Sequence, residues 1–228
     1  MVFLSEKRLG VKVDVATSKI GQTTLGQAFK LRPFQIALVL AFLSNWVLFG
    51  LRSSILPLFV TEKLGSTASV AGLGITIGAL FQGLFLLRAG RFSDEKGRKA
   101  ALLIGSIFVL FGILTLSFTT KPSLYFISMS LLGLGGAFVG TAPGSVVGDI
   151  IRGRGGQVIA AWQMAGDAGM IVGPILVGFL TDAYSYQTAF LFSAGIWIFA
   201  ILLSTILPET RLSHLKTDLI IDKNQQEL

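Results

Sequence analysis

Gly90-Arg91-Phe92-Ser93-Asp94-Glu95-Lys96-Gly97-Arg98-Lys99 is a hydrophilic, cation-rich stretch set between two runs that are each long and apolar enough to cross a bilayer. Working outward from it, six such runs occur, at about 34–60, 69–89, 100–118, 123–150, 157–180 and 187–207. Each satisfies the need for about 20 apolar residues in a helix that crosses roughly 30 Å of hydrocarbon. The connections between them are short and hold no soluble domain. The sequence therefore predicts an all-α polytopic membrane protein in three parts: a polar, basic segment 1–33, a six-helix transmembrane domain 34–207 and a tail 208–228.

Composition agrees with lipid as the principal solvent. Hydrophobic residues make up 52% of the chain, charged residues only 14%, and mean hydropathy is +0.74. Many of the glycines fall inside the spans, as with Gly72, Gly74, Gly78 and Gly83 in span two and Gly133, Gly136, Gly140 and Gly144 in span four. Small residues at three- and four-residue spacing let membrane helices approach closely, where lipid supplies no hydrophobic drive for pairing. A compact bundle is expected. Cysteine is absent, which removes disulfides, thiol nucleophiles and thiolate metal sites. The opening segment has no apolar core and so does not read as a secretory signal.

Charge placement predicts orientation. Sixteen of the nineteen Lys and Arg residues lie in the two tails and in the connections after spans two and four, whereas only Lys63 and Lys121 mark the opposite side. Under the positive-inside rule both termini are cytoplasmic, and the plasma membrane is the expected location. The net charge of +7 follows this topology and does not signal a nucleic-acid partner. Enzymatic chemistry is equally unsupported. The single histidine, His214, lies beyond the last span, and neither a phosphate-binding Gly-rich loop nor a metal-ligand cluster is present. No cofactor or metal is expected.

Spans one and four share a Gly-x6-Pro pattern, Gly50 to Pro57 and Gly136 to Pro143. An offset of three spans makes the two copies run in opposite directions, as inverted repeats do. Proline in such helices is expected to bend them.

Two ionisable residues fall at depth, Arg52 and Asp167, where a charge is costly and marks a functional candidate by default. Asp167 lies about 16 Å into span five at 1.5 Å per residue. It is a candidate proton-coupling group, or alternatively part of a Gly-rich helix interface. Arg52 either snorkels to the surface or faces a cavity, where it would attract an anionic substrate. Asn45, Gln82 and Gln163 line a pathway or serve as interhelical glue. Trp46 and Trp162 are candidates for stacking on a substrate, and Tyr184 and Tyr186 for an interfacial belt. At the basic side, Asp149 with Arg152 would form a charge network reaching Arg98 or Arg91, or Asp149 is simply a solvated acid.

The spacing Gly-x-x-x-Asp-x-x-Gly-Arg-Lys over 90–99 resembles the signature loop between the second and third helices of each half of major facilitator superfamily transporters. The run from Gly166 to Gly178, with Gly169, Gly173 and Pro174, is similar to the Gly-Pro-rich motif of helix five in drug and proton antiporters and to its counterpart in helix eleven. Pro208-Glu209-Thr210 resembles the exit from the final helix, and the whole is most similar to the C-terminal six-helix half. The resemblance implies two inverted three-helix repeats, with Gly90, Asp94, Gly97, Arg98 and Lys99 as a cytoplasmic gating loop. In physical terms, Gly90 and Gly97 would permit close approach and a tight connection, and Asp94 would accept from Arg98. It further implies secondary transport of a small-molecule substrate, with proton-coupled efflux of drugs or small metabolites by alternating access as the leading expectation. Family members have twelve spans, so a second six-helix half or a homodimer is the expected partner. The alternative is a non-transporting six-span protein, a truncated remnant or an assembly partner of an intact transporter.

Overall fold

The computed structural model describes residues 24–150 and 155–207, which are all-helical with short turns and contain no strand. The expectations for Arg152 and for Pro208-Glu209-Thr210 lie outside the described residues. A short helix, Leu25–Phe29, opens the described chain. It is held by a reciprocal cap in which the Thr24 hydroxyl accepts from the Gln27 amide and the Gln27 side chain accepts from the Thr24 amide. Six long apolar helices follow: span one Arg32–Lys63, span two Ala68–Lys96, span three Arg98–Ser117, span four Pro122–Ile150, span five Gly156–Ala183 and span six Tyr186–Ile206.

The opening stretch departs from its expected form. It is not a loop: span two continues as helix through Gly90 to Lys96, and the chain reverses at Gly97 alone. Nothing between Arg91 and Lys96 breaks a helix, and polar side chains leave the backbone ladder intact when it emerges into water. Gly97 has φ 108° and ψ 154°, a region open essentially to glycine, which is why the chain can turn there in one residue.

Span one takes π geometry over Trp46–Ile55 and again over Phe59–Lys63, on either side of Pro57, whereas Pro143 of span four and Pro174 of span five lie inside α-helix. Pro57 has no N–H to give the carbonyl four residues back, and the surrounding ladder slips by one residue. The Leu56 amide donates to the Leu51 carbonyl, and the Leu64 amide to that of Phe59 at 3.1 Å.

Packing follows the inverted repeat for one kind of helix pair, spans two-four and five-one, while span four packs on span three far more extensively than span one does on span six. Span four lies along spans two and three, span one along span five, and span three along span six. Two pairs dovetail through glycine. A Cβ at Gly133 would sit 2.1 Å from the Gly78 carbonyl oxygen, and one at Gly169 would sit 2.0 Å from that of Phe42. Gly173 meets Gly50 the same way, its Cβ position 3.2 Å from the Gly50 Cα. Spans two-four and five-one are equivalent pairs under exchange of the two three-helix units. Gly74 makes room for the fully buried Tyr125 ring, whose hydroxyl donates to the Ala71 carbonyl at 2.9 Å. Other glycines of the expected sets, Gly72, Gly83, Gly140 and Gly178, have open space where a Cβ would stand. Hydroxyls inside the bundle donate back to carbonyls four residues earlier, as Ser128, Ser193 and Ser204 do, which satisfies them without water.

Candidate functional site

Two cavities open along one face of span one. Leu48, Phe49, Arg52 and Ser53 of span one, with Ile75 and Gln82 of span two, enclose about 300 Å³. Ala41 and Asn45 of span one, with Trp162, Gln163, Gly166 and Asp167 of span five, enclose about 450 Å³. Residues 41, 45, 49 and 53 recur every four positions, and 48 and 52 run beside them, so a single helical face carries both walls. All five polar residues singled out at depth, Arg52, Asp167, Asn45, Gln82 and Gln163, line these cavities.

Arg52 is half-buried and reaches sideways to span two rather than outward. Its Nη1 donates to Gln82 Oε1 at 3.4 Å and its Nη2 to the Ile75 carbonyl at 3.3 Å. Gly78 leaves space for the guanidinium, since a Cβ there would stand 3.3 Å from Nη2. Asp167 is exposed on its cavity, and no salt bridge among the described residues involves it. Asn45 donates to its own helix at the Ala41 carbonyl, 3.0 Å away, and its amide nitrogen abuts Gly166, where a Cβ would fall at 2.7 Å. Gly166, Gly169 and Gly173 are therefore the contact surface of span five on span one. Pro174 follows directly, its nitrogen 3.3 Å from a Cβ placed at Gly50.

The two candidate tryptophans, Trp46 and Trp162, part company. Trp162 lines the Asp167 cavity, whereas Trp46 is 4% exposed and packs in the core beside Phe42, which removes it from any pathway.

At the basic end, Arg98 joins Asp94, Asp149 and Ser93. It pairs with Asp94 one turn back, donates from Nε to Asp149 Oδ2 at 3.4 Å, and donates from Nη1 to the buried Ser93 hydroxyl at 3.4 Å. Asp94 is 67% exposed and Asp149 only 17%, so the bond to span four is the sheltered one. Lys99 donates to the Thr205 carbonyl of span six. Gly90, expected to allow a close approach, has no neighbour within 4 Å of a Cβ position: it lies on the open side of the helix, while Ala89 and Ser93 are buried and Phe92 packs edge-on against Phe138 of span four.

At the opposite end the Tyr186 hydroxyl donates to Glu62, and Phe59 lies between Tyr186 and Phe190, tilted against the first ring and edge-on to the second. Tyr186 thus ties span six to span one, while Tyr184 is exposed. The Glu62 contact and the Ser93 bond were not anticipated; neither residue carries a sequence signal apart from its place at a helix end.

A six-span bundle with a polar-lined cleft on one helix face and an ionic clamp at one end defines the class: an integral membrane domain of transporter type. The Major Facilitator Superfamily profile matches residues 36–219, and the chain belongs to that family, whose members are transporters and not enzymes. Among similar proteins is the multidrug resistance protein MdtG of Enterobacter lignolyticus, 30% identical over 164 residues that cover 69% of this chain and 39% of the relative. MdtG of Citrobacter koseri is 29% identical, covering 72% and 41%. Among solved structures, a peptide transporter POT in complex with sulfate superposes with TM-score 0.68 at 20% identity, covering 77% of this chain and 37% of that one. Tetrameric PepTSo2 superposes with TM-score 0.69 at 15% identity, covering 78% and 41%. The chain spans about two-fifths of the length of the relatives it matches.

Proposed function

We propose that this chain forms one half of a secondary transporter that moves drugs or small metabolites out of the cell by alternating access, coupled to protons and completed by a second six-helix half. The observation that carries this reading is the cleft along span one, where Arg52, Asp167, Asn45, Gln82 and Gln163 each line a cavity. A lone half leaves one wall of such a cleft open, so a complementary half closes it. The basic end, with both termini, faces the cytoplasm of a plasma-membrane protein, as the distribution of Lys and Arg favours. Asp94, Arg98 and Asp149 hold that side shut by joining the turn after span two to span four, and they release when the two three-helix units rock. Asp167, exposed on its cavity, carries the coupling proton.

Flux in proteoliposomes tests this. With a complementary half co-expressed, a pH gradient should drive accumulation of a fluorescent drug, and the chain without that half should give none. Equal background flux in both preparations would favour the non-transporting alternative.

A further inference from the structure

The geometry assigns the Arg52 cavity as the binding site for the anionic group of an organic substrate, such as a carboxylate, which deepens the transport reading and rests on it. Arg52 carries five N–H donors in a planar fork. Its two hydrogen bonds, at 3.4 and 3.3 Å, are longer than ordinary ones and go to uncharged oxygens. Among the described residues no carboxylate lies within ion-pair distance of it. A guanidinium held inside a membrane span without a counter-charge is costly, and its fork matches a carboxylate, sulfonate or phosphate in a bidentate manner. The cavity of about 300 Å³ lies at the small end of the range for ligand pockets. Its other walls divide the labour: Leu48, Phe49 and Ile75 offer apolar surface, while Ser53 and Gln82 offer hydroxyl and amide contacts. The occupant is thus a small amphipathic anion with its charge on Arg52 and its apolar body against span one. Snorkelling does not account for the side chain, since it reaches sideways to Ile75 and Gln82, about 7 and 14 residues or roughly 10 and 21 Å along span two from its start.

Equilibrium binding to the full chain in phosphatidylcholine nanodiscs tests the assignment, using dansyl-glycine and its neutral twin dansyl-glycinamide. The carboxylate should bind about tenfold tighter, the factor that corresponds to one charge-assisted contact of about 1.4 kcal/mol. Arg52→Gln should bring the two affinities together, and Arg52→Lys should keep part of the preference. Gln82→Glu leaves Arg52 in place and gives it an internal counter-charge, so this variant should lose the preference while melting at or above the wild-type temperature. Equal affinities in the unaltered chain, or a preference that survives both Arg52→Gln and Gln82→Glu, would overturn the assignment. A preference erased by adding phosphatidylglycerol to the disc would also overturn it, by making a lipid headgroup the resident anion. Binding is read without transport, so a failure of flux with the preference intact counts against the transport reading alone.

Discussion

Asp149 and Asp94 both touch Arg98, yet their surroundings set different consequences. An exposed pair contributes about 0.2–1 kcal/mol, so Asp94→Ala should barely move the melting temperature while abolishing flux if the clamp acts in gating. Loss of the sheltered contact in Asp149→Ala should cost more, about 1.5–3 kcal/mol, because a partly buried charge loses an ionised acceptor. Equal melting temperatures for the two variants would contradict this ranking. Gly97 belongs to the same turn. Gly97→Ala forces a side chain into φ 108° and should lower stability by about 1–3 kcal/mol in a thermal melt, whereas Gly90→Ala, with open space at its Cβ position, should not. Asp167→Asn keeps size and shape, and should uncouple accumulation from the pH gradient while leaving downhill exchange measurable. Unchanged gradient-driven accumulation would move the proton elsewhere.

Helix pairs rather than single residues hold the bundle together. Gly133 and Gly169 place backbone against backbone, and no flexible side chain can yield to an added methyl there. Gly133→Ala and Gly169→Ala should each destabilise by at least the 1–3 kcal/mol typical of overpacking, with Gly83→Ala as the neutral control. A melt in which all three behave alike would remove the dovetail from the account. The glycine-rich character of spans two, four and five was readable in the chain, but which glycines touch a neighbour was not: Gly133, Gly136 and Gly140 share the three- and four-residue spacing, yet Gly133 and Gly136 meet a neighbour and Gly140 meets nothing. The tight spots at Gly105 and Gly135, where spans three and four meet, escaped notice for the same reason. The six spans themselves were legible because length and apolarity leave a helix no alternative in lipid. Widening of span one was not, since a proline in an apolar run announces a missing hydrogen bond without saying whether the ladder bends or slips. Likewise the polar residues at depth could be named from sequence, but a lone Asn or Gln in an apolar run does not reveal its facing; the shared face of span one emerges only when spans two and five are in place.

For the molecule as a whole, orientation and the cleft are the claims to test. The absence of cysteine makes single-thiol labelling clean. Lys96→Cys, at an exposed position, should react only from the cytoplasmic side, and Thr120→Cys and Ser185→Cys only from outside; the reverse pattern in intact cells would invert the topology. Ser93, though in the same turn region, is 1% exposed and is the wrong site for such a probe. The cleft is tested most directly by thiol accessibility along span one in the bilayer. Asn45→Cys, Phe49→Cys and Ser53→Cys should react with a small charged, water-borne reagent far faster than Phe199→Cys and Leu202→Cys, which lie on the outer surface of span six. Span-one thiols that react no faster than those of span six would contradict a water-lined path on that face, and with it the reading of this chain as half of a transporter.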